Sequence, residues 1–221
     1  MLVHPWDAPL DDAEWRDWLS AGHDFGELVA PGRDRDLPVV VPTHFVYDGE
    51  RTVLLHLARP NPVWDALAER ARALLTVVGD YVYVPAGWGA APGTPPELGV
   101  PTSYYATVQL SCDVRVVDDP VEKLAILSAQ LRHFEPGGAY LPPDPEHEHF
   151  RRRLPGIRGL VLTVTAVRGK FKYGGNKSLD HQEILAERLD DRAGPVDAAA
   201  REHLVRRARF AAGGGATPGG E

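Results

Sequence analysis

The chain is poor in sulfur. One cysteine, Cys112, and one methionine, Met1, occur in 221 residues. A lone cysteine excludes an internal disulfide framework and any zinc site built on several cysteines. No apolar run approaches the roughly 20 residues that a membrane-spanning helix needs, so no membrane association is expected. His4, Pro5 and Trp6, followed by acidic residues, do not resemble a secretory leader, and the expected location is the cytoplasm. Positive charge is in deficit, with Lys+Arg 24 against Asp+Glu 31 and a formal charge of −7. That balance argues against bulk electrostatic binding of nucleic acid, although a local basic patch could still bind it weakly. Nucleotide and hydrolase signatures are missing too: there is no G-x-G-x-x-G after the first strand, no G-x-S-x-G and no H-E-x-x-H. What is present is an ordinary globular mixture, 43% apolar and 25% charged, which excludes a wholly disordered chain.

Periodicity then gives the elements. Residues 11–22 form an amphipathic helix with Trp15, Trp18 and Leu19 on one side. Phe25 to Val29 is a short strand. Valine-rich Leu37 to Tyr47 and Thr52 to Ala58 flank Asp48-Gly49, a hairpin signal. Asn61-Pro62 opens a helix reaching about Ala71. Leu74 to Val78 and Tyr81 to Pro85 read as a second hairpin around Gly79-Asp80. Residues 85–101 are a proline- and glycine-rich loop. Tyr104 to Val117 alternates most clearly, with Ala106, Val108, Leu110, Cys112, Val114 and Val116 on one face. A helix capped by Asp119 follows, then a proline- and glycine-rich loop over 135–146, a short polar helix around 146–153, and a long strand from Ile157 to Val167. Leu179 to Leu189 and Asp197 to Phe210 are helical. The pattern predicts a mainly β chain with helical decoration (α+β), a six-stranded barrel of antiparallel hairpins with C-terminal helices. The expected divisions are a barrel domain over 1–190, a C-terminal helix over 191–210 and a disordered tail over 211–221.

Four constellations could carry chemistry. In His56-Leu57-Ala58-Arg59-Pro60-Asn61-Pro62 a strand ends, an arginine follows and a helix begins. Arg59 and the helix N-terminus could hold a phosphate; equally, Arg59 could pair with a surface carboxylate while Asn61 merely caps. In Lys170-Phe171-Lys172-Tyr173-Gly174-Gly175-Asn176-Lys177, lysines alternate with aromatics beside a diglycine. This suits an anionic planar ligand, or a solvated loop whose lysines deter strand pairing. Thr43-His44 and His56 on neighbouring strands could face a ligand or be half-buried core groups. His147, Glu148, His149, His133 and His181 are too scattered for a recognised metal motif. Cys112, on an apolar strand face, reads as a core residue. The arginines 151–153 and Arg201, Arg206, Arg207 and Arg209 read as exposed helix faces.

Five stretches in order resemble the PaiB-like family of FMN-binding negative transcriptional regulators, of the FMN-binding split-barrel superfamily. They are Pro42-Thr43-His44; His56 to Trp64; Gly79 to Pro85 with Trp88; Val100-Pro101-Thr102-Ser103-Tyr104-Tyr105; and Gly169 to Lys172 running on to Asn176-Lys177. The resemblance covers roughly residues 1–190. It implies a Greek-key-like six-stranded split barrel, a homodimer, and FMN at the subunit interface. By matching motif, His56, Arg59 and Asn61 would lie at or beside the phosphate, Thr102, Ser103 and Tyr104 along the flavin, and Lys170, Lys172, Asn176 and Lys177 would close the site, with Thr43 and His44 also among the cofactor-binding residues. The implied function is a flavin-dependent redox protein, an FMN-dependent oxidoreductase if an enzyme, or a flavin-responsive negative regulator with indirect or weak contact to DNA. A haem-binding split barrel and a cofactor-free PaiB-like regulator are the alternatives. Two stretches depart from the family: Ser103-Tyr104-Tyr105 replaces Trp-Asn-Tyr, and Tyr173-Gly174-Gly175 precedes Asn176-Lys177 where Ser-Gln is common.

Overall fold

The computed structural model describes residues 1–213. Its elements run α1 (Asp12–Ser20), β1 (Phe25–Ala30), β2 (Val39–His44), β3 (Val46–Tyr47), β4 (Thr52–Ala58), α2 (Val63–Glu69), β5 (Arg72–Val84), the single turn α3 (Ala86–Gly89) and β6 (Thr102–Val117). Then come α4 (Pro120–Phe134), α5 (Glu148–Arg153), β7 (Ile157–Lys172), α6 (Leu179–Arg192) and α7 (Asp197–Ala212). The strands form one seven-stranded antiparallel sheet in the order β2-β1-β5-β6-β7-β4-β3. The class is the α+β split barrel expected, with seven strands instead of six.

Phe45 divides the valine-rich predicted strand in two. The sequence reads Leu37 to Tyr47 as one strand paired with Thr52 to Ala58. In the structure β2 pairs with β1, from Phe25 opposite His44 to Ala30 opposite Val39, and only Val46 and Tyr47 pair with β4. Phe45, between them, is fully buried and donates its N–H to the Asp24 carbonyl at 2.9 Å. Burying that ring turns the chain from one partner to another. The Asp48-Gly49 turn is present, with Gly49 at φ 85° and Asp48 Oδ1 accepting the N–H groups of Glu50, Arg51 and Thr52.

Gly79-Asp80 is no hairpin turn: β5 runs straight through it. Buried positions are Ala73, Leu75 and Val77 before it, but Val82 and Val84 after it. An odd series becomes an even one, which is the signature of one inserted residue, a β-bulge. Asp80 takes the left-handed conformation at φ 50°. Turn chemistry and bulge chemistry ask for the same residues, so the dipeptide alone does not separate them.

The chain divides into two compact units, one of Met1–Trp15, Val78–Val108 and Gly169 onward, the other of Arg16–Val77 and Gln109–Arg168. In the first, Val84, Tyr104, Ala106, Phe171, Tyr173, Leu185 and Leu204 are buried. In the second, Leu28, Phe45, Leu55, Leu75, Leu110, Cys112 and Leu162 are buried. Burial pushes the Cys112 thiol up to about 12, so its sulfur is packing and not a nucleophile. The C-terminal region is two helices, since α6 continues to Arg192 before Ala193 takes a left-handed cap at φ 48°. Helix α7 runs to Ala212, and the remainder of the expected tail, 214–221, lies outside the described residues. No helix among the described residues is long and apolar enough to cross a membrane.

Candidate functional site

The first unit contains a cavity of about 310 Å³. One wall is the N-terminal segment. Pro5 pre-sets a 3₁₀ turn over Pro5–Asp7, closed by the Asp7 N–H on the His4 carbonyl at 2.9 Å. The turn brings His4 and Trp6 into parallel stacking, with centroids 4.7 Å apart and planes 7° apart, and both residues line the cavity with Asp7.

A second wall is the start of β6. Period-two alternation gives Thr102 and Tyr104 to the cavity, and Ser103 is not among its lining residues. The third is the end of β7 and its following loop, which supply Lys172, Gly174, Asn176 and Lys177. Lys172 donates to Thr102 Oγ1 at 2.7 Å. Lys170 does not line the cavity. Its buried ammonium donates to the Leu2 carbonyl at 3.0 Å and stands 3.8 Å from the Asp7 carboxylate.

The diglycine has a packing reason. Gly174 has φ 68°, and a Cβ there would sit 2.6 Å from the Tyr104 hydroxyl. A Cβ on Gly175 would lie 2.3 Å from the Trp6 carbonyl oxygen. This variant stretch therefore lets the lysine-bearing loop close directly on Tyr104 and Trp6.

Burial raises the Asp7 pKa against the opposing pull of Lys170, Arg207 and Lys172. Burial, then the charge of Asp7, pushes the Tyr104 phenol up to about 12, so it stays neutral and able to donate. The cavity thus offers two ammonium groups, a carboxamide, a phenol and a stacked aromatic pair.

The remaining expected residues belong to the second unit. Thr43 is buried and donates to the His44 carbonyl at 3.0 Å. His44 meets His56 and Phe134 edge to face at 5.9 and 5.1 Å, and burial, then His56, lowers its pKa. His56 Nδ1 bonds Gln130 Oε1 at 2.6 Å. Arg59 donates to the Pro155 carbonyl at 2.6 Å and to Asp118 at 2.8 Å. Asp118 is held below the usual carboxylate range by Arg158 and then Arg59. Asn61 Oδ1 accepts the Val63 N–H at 3.0 Å just ahead of α2, whose N-cap is Pro62. Arg59 thus carries a protein carboxylate and Asn61 a backbone N–H at the start of α2.

His133 bonds Asp24 and His181 bonds the Trp88 carbonyl, each within its own unit. Among the described residues no group of three or more His, Cys, Asp or Glu is arranged to hold a metal. One reading is corrected: Arg207 is not on an exposed helix face. It is buried, donating to the Trp6 and Ala8 carbonyls and facing Glu14. Sequence reasoning also missed His4, Trp6 and Asp7. The only local signal was Pro5 between two aromatic rings, which marks a turn and not a site.

A family model described as "Putative FMN-binding domain" matches residues 1–166. Among solved structures, the FAD and haem binding protein from Mycobacterium smegmatis is similar at TM-score 0.58 and 22% identity, covering 76% of this chain and 74% of that one. The flavocytochrome Anf3 from Azotobacter vinelandii is similar at TM-score 0.57 and 18% identity, covering 76% of this chain and 71% of that one. At these identities the likeness establishes the fold. No curated protein matched the chain.

Proposed function

The chain belongs to the putative FMN-binding domain family, and on that premise we propose that the cavity of the first unit holds flavin mononucleotide in a homodimer of the PaiB-like kind. The observation that carries this is the pairing of two lysines with a stacked aromatic wall around one cavity. A phosphorylated flavin needs cationic donors for its phosphate and flat apolar faces for its ring. Lys172, Lys177 and Asn176 suit the first need. Trp6, His4 and Tyr104 suit the second.

Thr43, His44, His56, Arg59 and Asn61 are, in this proposal, the residues a partner subunit brings to the same cofactor, with Arg59 exchanging Asp118 for phosphate. Lys170 supports the N-terminal wall from behind, through the Leu2 carbonyl and Asp7. When bound, the isoalloxazine supplies hydride or single-electron transfer. The protein's residues bind it, orient it and hold Tyr104 as a neutral donor. No side-chain acid or base is required. The role proposed is a flavin-dependent redox protein or a flavin-responsive negative regulator acting on transcription indirectly.

The test is the absorbance spectrum of the purified protein, with mass analysis of whatever denaturation releases. FMN is the expected result. A Soret band without flavin would support the haem alternative, for which the adjacent His44 and His56 rings are the candidate ligands. Lys172→Ala is expected to weaken FMN binding more than about tenfold, because a charge-assisted hydrogen bond contributes about 1.5–3 kcal/mol. Unchanged affinity by titration calorimetry would remove Lys172 from the site.

A further inference from the structure

We propose that the C-terminal helix pair α6–α7 is the positioning frame of this cavity, acting through Gln182 and Arg207. The proposal rests on the cavity being the flavin site. Both residues, like the cavity's Lys172, Asn176 and Lys177, lie beyond residue 166, where the family match ends.

Gln182 is buried. Its Nε2 donates to the Gly174 carbonyl at 2.9 Å and to the Lys177 carbonyl at 3.1 Å. An amide nitrogen has two hydrogens, and here they hold the two ends of one turn, itself closed by the Lys177 N–H on the Gly174 carbonyl at 2.9 Å. That turn carries Asn176 and Lys177 to the cavity.

Arg207 is equally buried. Its guanidinium donates to the Trp6 carbonyl at 3.1 Å and the Ala8 carbonyl at 3.0 Å, so it spans the segment that carries Trp6 and Asp7. Glu14, 3.4 Å away, compensates its charge, and the Leu10 N–H in turn holds that carboxylate at 2.7 Å. Each helix therefore grips backbone carbonyls of a different wall. Neither residue lines the cavity, so both act through what they hold.

The two grips have separable consequences. Gln182 governs the turn offered to the phosphate; Arg207 governs the aromatic wall offered to the ring. The experiment uses the full chain carrying Gln182→Met or Arg207→Met, with Arg207→Lys as the conservative variant. FMN and riboflavin affinities are measured together with amide exchange of the ligand-free protein. Gln182→Met is expected to weaken FMN about tenfold while riboflavin changes within about twofold. Arg207→Met is expected to weaken both ligands about tenfold, with partial rescue by lysine, which cannot span two carbonyls as a fork does. Exchange is expected to accelerate at residues 174–177 in the first variant and at 4–8 in the second.

Equal losses of FMN and riboflavin in Gln182→Met, or unchanged exchange and affinities in folded variants, would overturn the proposal. Should the wild-type protein bind neither flavin, the flavin reading fails by itself. The exchange at 174–177 and 4–8 then decides whether the helices hold the walls.

Discussion

At Asp7 the environment works against the charge. It is buried beside Lys170, yet burial outweighs the attraction and its pKa is raised from 3.8. The linkage sign follows. Folding favours the protonated form, so the stability this group contributes is fully present below its ordinary pKa and is lost as pH rises through the raised value. Asp7→Asn is therefore expected to raise the denaturant midpoint at pH 7, with the gain shrinking as the pH falls through the raised value and gone below the ordinary pKa of 3.8. A midpoint lowered at pH 7 would mean that the Lys170 pairing dominates. Residue by residue, legibility tracked local chemistry. Lys172, Lys177, Thr102 and Tyr104 stood out because lysines, aromatics and glycines cluster around them. Arg207 did not, because arginines along a helix look alike until the carbonyls of Trp6 and Ala8, about two hundred positions away, are brought to one of them.

Among the elements, β5 shows how one inserted residue serves the site. The bulge at Asp80 shifts the buried face from odd to even positions and so gives Val84 to the cavity wall. Asp80 is locked there by three features. It takes a positive φ of 50°, its carbonyl accepts the Tyr173 hydroxyl at 3.0 Å, and its carboxylate accepts His203 Nε2 at 2.9 Å. His203 in turn stacks on Tyr173 at 4.4 Å. Asp80→Ala loses a residue tolerant of left-handed backbone and strands a buried imidazole. The expected cost is about 2–4 kcal/mol by chemical denaturation. Asp80→Asn, which tolerates the same φ and keeps an acceptor, is expected to cost less than half of that. Equal costs would show that the charge alone matters. Most elements were legible, because apolar periodicity and caps such as Asp119, which accepts the Val121 and Glu122 N–H groups, are local. Strand partners were not. Phe45 decides them by being buried, which no neighbour in sequence reports.

At the scale of the whole molecule, the expected site residues divide between two units of one chain, and the proposed homodimer assigns the two groups to different subunits of each site. That assignment has a consequence which a single-chain site lacks. Lys172→Ala and Arg59→Ala are each expected to weaken FMN binding more than about tenfold. Unfolding and refolding the two together yields mixed dimers in which one of the two sites has both residues intact. Tight sites are therefore expected to reappear, to about a quarter of the wild-type count under random pairing. No recovery would place both groups on one subunit or remove Arg59 from the site.

Titration of cofactor-free protein with FMN and with riboflavin, in wild type and in Lys172→Ala, bears most directly on the account. The two ligands share a ring and differ by the phosphate. Wild type is expected to prefer FMN by more than about tenfold, and Lys172→Ala to lose most of that preference while keeping its riboflavin affinity. Equal affinities in wild type, or an FMN preference untouched by Lys172→Ala, would contradict a phosphate held by the lysines of this cavity.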